Sequence, residues 1–408
     1  MKNSGIEWIG EIPADWKIVK VKQVFFRKNE KAQQENPVVL SLARSGVKVR
    51  DLTANEGQIA ESYYNYNPVS IGDLLLNPMD LYSGANCSIS KVEGVISPAY
   101  ANLRSKEGYF SNFYDYYFKV QYWMMVLFAH GKGVSFDNRW TLTNETLMNF
   151  PVVAPSLDEQ HRIADFLDEK CAKIDAVIEK QKQVIEKLKE YKLSVITEAV
   201  TCKVGWNRCK LGFLANFKNG LNYNGLSTDS EIKFLGVGDF KQHFVLNNIG
   251  MFSTLKFDGN MPDDLLLNNG DIIFVRSNGS KELVGRSIMV ENINYPVTYS
   301  GFCIRMRNYR QDIVLNKFLL YRFRSNDFRQ TLNRDSRGSN INNLNQELLS
   351  NLTVEFPSIE KQSSIVSYLD SKTDEIDSAI AKKQSIVEKL TEYKKSLIYE
   401  VVTGKREV

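Results

Sequence analysis

Residues Pro155–Thr201, PSLDEQHRIADFLDEKCAKIDAVIEKQKQVIEKLKEYKLSVITEAVT, decide the architecture, because they return without a gap, 202 residues later, as Pro357–Thr403, PSIEKQSSIVSYLDSKTDEIDSAIAKKQSIVEKLTEYKKSLIYEVVT. Neither copy contains glycine or an internal proline, and both are rich in Lys, Glu, Ile and Leu. Only a long helix accounts for that composition over that length. Each helix is expected to start just after its proline. Ser156 with Glu159 fits a capping box, whereas the second copy has Ser358 but Lys361, with Glu360 left to complement the positive helix end.

A seven-residue spacing runs through Leu167, Ile174, Gln181, Leu188 and Val195, and again through Leu369, Ile376, Lys383, Leu390 and Leu397. Val177, Val184 and Tyr191 supply the intervening row of the first copy, and Ala379, Ile386 and Tyr393 that of the second. Such heptads signal a coiled-coil seam, with Gln181 and Lys383 as polar interruptions that fix register. About forty helical residues at 1.5 Å each give a rod of about 60 Å. Exposed positions repeat as well as apolar ones (Glu186/Glu388, Lys187/Lys389, Glu190/Glu392, Lys192/Lys394), which core packing alone does not dictate. The duplication gives one polypeptide the geometry of a dimer: two antiparallel spacer helices and two globular domains in pseudo-two-fold relation. A spacer between two reading heads suits a split DNA site, since duplex DNA presents the same face about every 34 to 36 Å.

The expected boundaries are a first recognition domain over 1–154, a central helix over 155–202, a second recognition domain over 203–356 and a C-terminal helix over 357–408. The two globular segments share a skeleton. Each opens on a tryptophan and a strand, Trp16–Val21 and Trp206–Leu211, and each has a Gly-Asp turn into an apolar strand, Gly72-Asp73 before Leu74–Leu76 and Gly270-Asp271 before Ile272–Val275. Each closes on one exit pattern, Leu142, Leu147, Phe150 and Val152 matching Leu344, Leu349, Leu352 and Val354. Short strands with Gly and Asn turns, and a helix before the exit, make the domains α+β.

At 408 residues and 43% hydrophobic the chain can bury two or three cores. MKNSGIEWIGEIPADW holds no signal-peptide core and the longest apolar run, Trp123–Ala129, cannot span a bilayer, so a cytoplasmic location without membrane association is expected. Five cysteines form no CxxC pair and three histidines are scattered, so neither a metal site nor a disulfide framework is expected. The net charge of +4 permits nucleic-acid binding without requiring it. Between Phe302 and Arg337, however, nine cations face three carboxylates, an arrangement that fits a solvated helix face or a phosphate-facing surface.

The loops after the Gly-Asp strands carry residue types that read base edges. In the second domain these are Arg276, Ser277, Asn278 and Lys281, and in the first Asn77, Tyr82, Ser83 and Asn86 within NPMDLYSGAN. Tyr100 and Tyr299 occupy comparable later places, and Arg337 and Asn340 complete the candidate DNA-binding set. Any one of these residues is as readily a turn residue; together they form the candidate reading surface. No catalytic residue is expected. There is no Gly-rich methyl-donor loop, Asn77-Pro78-Met79-Asp80 falls short of an Asn-Pro-Pro-aromatic tetrad, and Gly131-Lys132 lacks the rest of a phosphate-binding loop.

Taken together, SGIEWIGEIPADW, PSLDEQHRIADFLDEK, its echo PSIEKQSSIVSYLDSK, and the EAVT and EVVTGK endings resemble the DNA-specificity subunit of type I restriction-modification systems, over the whole chain. The resemblance implies two target-recognition domains, each binding one half of an asymmetric bipartite site in double-stranded DNA, with two helices as a ruler for the unspecified gap. It implies a non-catalytic subunit that joins two modification subunits, which methylate adenine with S-adenosylmethionine, and restriction or motor subunits that use ATP and magnesium. The cofactors are thus expected on the partners and not on this chain. A rival reading is a coiled-coil assembly scaffold whose heads bind proteins without reading DNA. It leaves unexplained why two heads share a skeleton and differ in their loops.

Overall fold

A computed structural model describes residues 1–53, 60–79, 81, 86–133, 140–201, 203–222, 230–240, 244–257, 261–278, 283–335 and 344–408. The chain forms two compact units, residues 1–181 with 385–408, and residues 182–384. The architecture is α+β, with two long helices, Leu157–Val200 and Ile359–Val402.

In the first unit a four-stranded antiparallel sheet has the order Phe25–Arg27, Ala101–Ser105, Leu74–Leu76, Cys87–Ile89. Leu74–Leu76 is apolar at every position because both faces are covered. Leu74 and Leu76 enter the main core with Phe113, Tyr114, Tyr117 and Phe118 of the helix Ser111–Trp123, while Leu75 turns to a small core with Leu40, Val69 and Ile96. That sorting is the two-residue period of a strand. Lys17–Lys20 pairs antiparallel with Pro151–Ala154, clamping the two ends of the domain together just before the long helix begins.

The second unit repeats this plan. Its sheet runs Ala215–Asn219, Cys303–Asn308, Ile272–Val275, Ser287–Val290, and adds Val245–Leu246 in parallel at the edge. Ile272 and Phe274 face Phe318 and Phe323, whereas Ile273 and Val275 face the core under a second sheet, Ser253–Phe257, Ser230–Leu235 and Val297–Tyr299. Asn207–Lys210 with Thr353–Phe356 forms the same closing clamp.

Each long helix gives one half to each unit. Within the second unit Ile185 and Leu188 pack with Ile376 and Ile380, Lys192 Nζ lies 2.6 Å from Asp377, and Val195 and Val200 share a core with Val366 and Leu369. The order reverses along one helix relative to the other, so the two segments are antiparallel. The first unit holds the counterpart 202 residues away: Asp175 and Lys394 lie 2.6 Å apart, and Leu167 and Cys171 share a core with Leu397 and Val401. Of the expected seam, Leu167, Val195, Leu369, Ile376 and Leu397 are buried, and Ile174, Gln181, Leu188, Lys383 and Leu390 are half-buried. The intervening row differs from the sequence reading. Val177, Tyr191, Ile386 and Tyr393 are exposed, and the companion row lies one residue later at Cys171, Ile178, Ile185 and Lys192, and at Thr373, Ile380, Val387 and Lys394. The sequence offers adjacent apolar pairs (Val177-Ile178, Val184-Ile185), and packing selects the second member of each.

At the first helix start Glu159 N–H donates to Ser156 Oγ at 3.3 Å, the hydroxyl half of the expected capping box. At the second, Glu360's own backbone N–H and then the Ser358 hydroxyl hold its carboxyl below the ordinary range.

Candidate nucleic-acid interface

The Gly-Asp turns carry a repeated anchor. Asp73 is fully buried; it accepts from Ser70 N–H at 2.8 Å, Lys28 Nζ at 3.1 Å and Arg104 Nε at 2.8 Å. Asp271 repeats the arrangement with Asn268 N–H at 2.7 Å and a two-pronged contact from Arg307, Nε at 2.8 Å and Nη2 at 2.7 Å. Each carboxylate stitches its turn to the neighbouring central strand, so the strand leaves the sheet in a fixed direction and the loop beyond it starts from a rigid base. Glycine at the preceding position is required, since Gly72 and Gly270 have φ of +87° and +89°.

In the second unit the loop begins at Arg276. Its N–H and that of Ser277 donate to Phe302 O at 2.7 and 3.4 Å, its carbonyl accepts from Leu344 N–H at 2.9 Å, and its Nη1 reaches Gly301 O at 3.3 Å. Arg276, Ser277 and Asn278 are all half-buried, at a place where three remote segments meet. The third is Gly220–Leu221: Gly301 N–H donates to Leu221 O at 2.7 Å, and a Cβ at Gly220 would come within 2.3 Å of Ser300 O. Gly220 was not singled out by the sequence reading, and its only signal there is an Asn-Gly pair ending a strand. Phe302 is exposed beside this loop.

Tyr299, placed among the reading residues by its sequence position, is a core side chain. It is fully buried, its hydroxyl donates to Lys218 O at 3.2 Å, and burial pushes its pKa up to about 12. A ring closed off in this way cannot reach a base.

In the first unit Asn77 and Asn86 form the base of their loop. Asn77 N–H donates to Asn86 O at 2.9 Å, Asn77 Oδ1 accepts from Met79 N–H at 3.0 Å, Asn77 O accepts from the Tyr122 hydroxyl at 2.6 Å, and Asn86 Nδ2 donates to Ala43 O. Tyr100 is half-buried against the small core of Leu40, Val69, Leu75 and Ile96. Tyr82, Ser83, Lys281, Arg337 and Asn340 lie outside the described residues.

The positive stretch in the second domain is largely spent on internal structure. Buried Arg305 donates to Asp264 O and Leu266 O, Arg307 pairs with Asp271, Arg310 with Asp312, Lys317 with Asp370, and buried Arg322 with Asp327 and Glu355. Arg305, Arg307, Lys317 and Arg322 are thus engaged by internal partners, whereas the Arg310–Asp312 pair lies on an exposed surface.

A repeated glutamine, which sequence analysis passed over, joins each domain to its helix. Gln160 is buried; its Oε1 accepts from Phe110 N–H at 2.8 Å and its Nε2 donates to Pro155 O at 2.9 Å. Gln362 does the same with Leu315 N–H at 2.8 Å and Pro357 O at 2.8 Å. Nearby, the Tyr116 hydroxyl donates to Asp168 at 2.6 Å and that of Tyr321 to Asp370 at 2.7 Å. The signal was present in the repeat, as a glutamine kept at the 202-residue offset while its neighbours Glu159 and His161 become Lys361 and Ser363.

Among the described residues no group of three or more His, Cys, Asp or Glu side chains could hold a metal ion, and no helix is long and apolar enough to cross a membrane.

Comparison with known proteins agrees with this duplicated plan. The family described as type I restriction modification DNA specificity domain matches residues 203–389. The specificity subunit of the type I restriction enzyme StySPI of Salmonella potsdam is 26% identical over 335 residues, covering 77% of this chain and 68% of that one. That of EcoKI from Escherichia coli K12 is 25% identical over 33% of this chain and 28% of its own. A chain from a solved structure described as the structural basis of complex assembly and conformational transition of the type I R-M system superposes with a TM-score of 0.74 at 14% identity, covering 97% of this chain and all of that one. At that identity the likeness concerns the fold. Repeated helices, duplicated α+β domains and these relatives make the chain similar to type I restriction-modification specificity subunits.

Proposed function

We propose that the chain is the sequence-reading, non-catalytic subunit of a type I restriction-modification complex. Each domain binds one half of an asymmetric bipartite site, with the repeated helices fixing the unspecified gap and offering docking surfaces to two modification subunits. The observation that carries this reading is that two domains of one strand order, attached to one helix repeat, differ in the loops that leave their Gly-Asp strands. A scaffold that bound two copies of one protein would have no use for that difference.

In the second domain Arg276, Ser277 and Asn278 supply the side-chain types for direct readout from a backbone pinned to Phe302 and Leu344. In the first, Asn77 and Asn86 brace the loop, and contact with bases falls to residues between them. Phosphate contacts position the duplex and base contacts specify it. The target adenine leaves the stack to reach a modification subunit's active site. S-adenosylmethionine belongs to those subunits, and ATP and magnesium to the restriction or motor subunits.

Co-expression with the modification subunit, followed by genome-wide mapping of methylated adenines, tests this. A split motif with one fixed gap is the expected result. A continuous motif, or no methylation from an intact complex, would refute the reading.

A further inference from the structure

Two further residues of the positive stretch face a cavity. Arg324 and Arg329 line a cavity of about 370 Å³ together with Lys189 and Lys192 of the first long helix and Arg286 at the start of a sheet strand. Phe244 completes the wall, with Lys192 Nζ and the Arg324 guanidinium carbon each 4.3 Å from its ring centroid. The cations are held in position by neighbours at the margin: Arg286 Nη1 donates to Phe240 O at 3.0 Å, Arg324 Nη2 to Ser287 O, Lys192 pairs with Asp377 at 2.6 Å and Lys189 with Glu186 at 2.8 Å. No carboxylate lines the cavity among the described residues.

The first unit provides an internal control. There Lys394 takes the place of Lys192, 202 residues away, and Lys119 that of Arg324, at the 205-residue offset that also relates Tyr116 to Tyr321. That cavity, of about 910 Å³, is lined by Asp115, Asp168 and Asp175 as well, and Lys119 contacts Asp115 at 2.5 Å and Lys394 contacts Asp175 at 2.6 Å. The pair Lys394–Asp175 is the counterpart of Lys192–Asp377, so the units share it; they differ in that Arg286, Arg324 and Arg329 line the second cavity where Lys119 and Asp115 line the first.

We infer that the cavity of the second unit is a phosphate-binding site, in which Lys189, Lys192, Arg286, Arg324 and Arg329 receive a phosphate group carried by the DNA backbone or by a free phosphorylated molecule. Guanidinium groups match phosphate oxygens with paired N–H donors, and ammonium groups add point charge. Four separate elements bring them together, so the site exists only in the folded unit. Burial, and then repulsion from Arg286 and Arg329, draws the Arg324 pKa down to about 9, and burial with Arg286 lowers that of Arg329. A bound anion would relieve both. The DNA arm of the inference rests on the function proposed above; the free-phosphate arm does not.

The test compares the wild-type complex with the variant K189Q/R329Q, whose changes avoid the more deeply set Arg324, and with R286Q as a second, single change. If the phosphate is that of DNA, the slope of log affinity against log salt falls by about one to two in K189Q/R329Q while the ratio of target to scrambled affinity is unchanged. If it is free, calorimetry on the full chain without DNA shows inorganic phosphate binding that both variants weaken at least ten-fold, and the DNA salt slope stays put. No phosphate heat together with an unchanged slope would overturn the inference, as would a variant that loses target discrimination instead of slope. A wild-type complex that bound no DNA, with a chain that still bound phosphate, would refute the proposed function and leave this site standing.

Discussion

Asp271 illustrates how a residue with the chemistry of a site can be wholly occupied by structure. Its carboxylate is almost completely buried and meets Arg307 from the adjoining strand, as Asp73 meets Arg104. Removing one partner of such a pair leaves the other charge poorly compensated, which costs about 3 kcal/mol. Asp271→Ala should therefore lower the urea-unfolding midpoint of the full chain, and restoring a carboxylate with glutamate should not fully recover it, because the Asn268 N–H contact depends on side-chain length. The Gly-Asp pair was legible as a turn into a strand. Its arginine was not, since it lies 36 residues on, among eight other cations of equal prominence.

Alkaline behaviour is also decided residue by residue. Burial raises Cys303 from 9.0 to about 12 and Tyr299 from 10.0 to about 12. Both pKa values are higher folded than unfolded, so unfolding releases these protons, and stability is complete below about pH 9 and is lost as pH climbs towards 12. Denaturation curves at pH 8.5, 10 and 11 should show this fall, each group adding at most about 1.4 kcal/mol per pH unit. Cys303→Ala should flatten the part that begins near pH 9.

For the elements, the long helices show what periodicity can and cannot specify. Length, direction of amphipathicity and starting point were all readable, because a helix without glycine or proline and with a Ser cap has few alternatives. The choice between Val177 and Ile178, or between Val184 and Ile185, was not. Heptad spacings of three-four and four-three differ by one residue, and only the facing helix decides which side chain is covered. Ile380 is buried with Ile185 and Ile376, so Ile380→Ala should destabilise by about 2 to 4 kcal/mol. Tyr393→Ser, on the exposed row, should change the chain's thermal stability by no more than about 0.5 kcal/mol. A comparable loss from both substitutions, measured by thermal unfolding, would restore the seam as first read.

At the scale of the molecule, the duplication extends further than the helices that announce it. Central strand order, closing clamps, Gly-Asp anchors and the glutamine and tyrosine joints to the helices all recur, while sequence outside Pro155–Thr201 and Pro357–Thr403 has drifted far. The loops after the Gly-Asp strands and the cavity walls are where the two units part. Replacing 203–356 by a recognition domain of different specificity should change one half of the methylated motif and leave the other half and the gap intact. A change in both halves, mapped by the same methylation sequencing, would contradict independent reading by the two domains.

The sequence by itself determined the repeat, the two long helices, the α+β character of the domains between them and the places where loops leave the sheets. These depend on local periodicity and on turn chemistry, which act over a few residues and are written in order along the chain. Tertiary structure alone decided which apolar row of each helix is covered, that Tyr299 belongs to the core, and that Arg305, Arg307, Lys317 and Arg322 of the arginine-rich stretch are taken up by internal partners. It also decided that Arg324 and Arg329 share a cavity with Lys189, Lys192 and Arg286. Burial and charge pairing join residues distant in sequence, and nothing in the local order of a chain states which distant partner a charged side chain will meet.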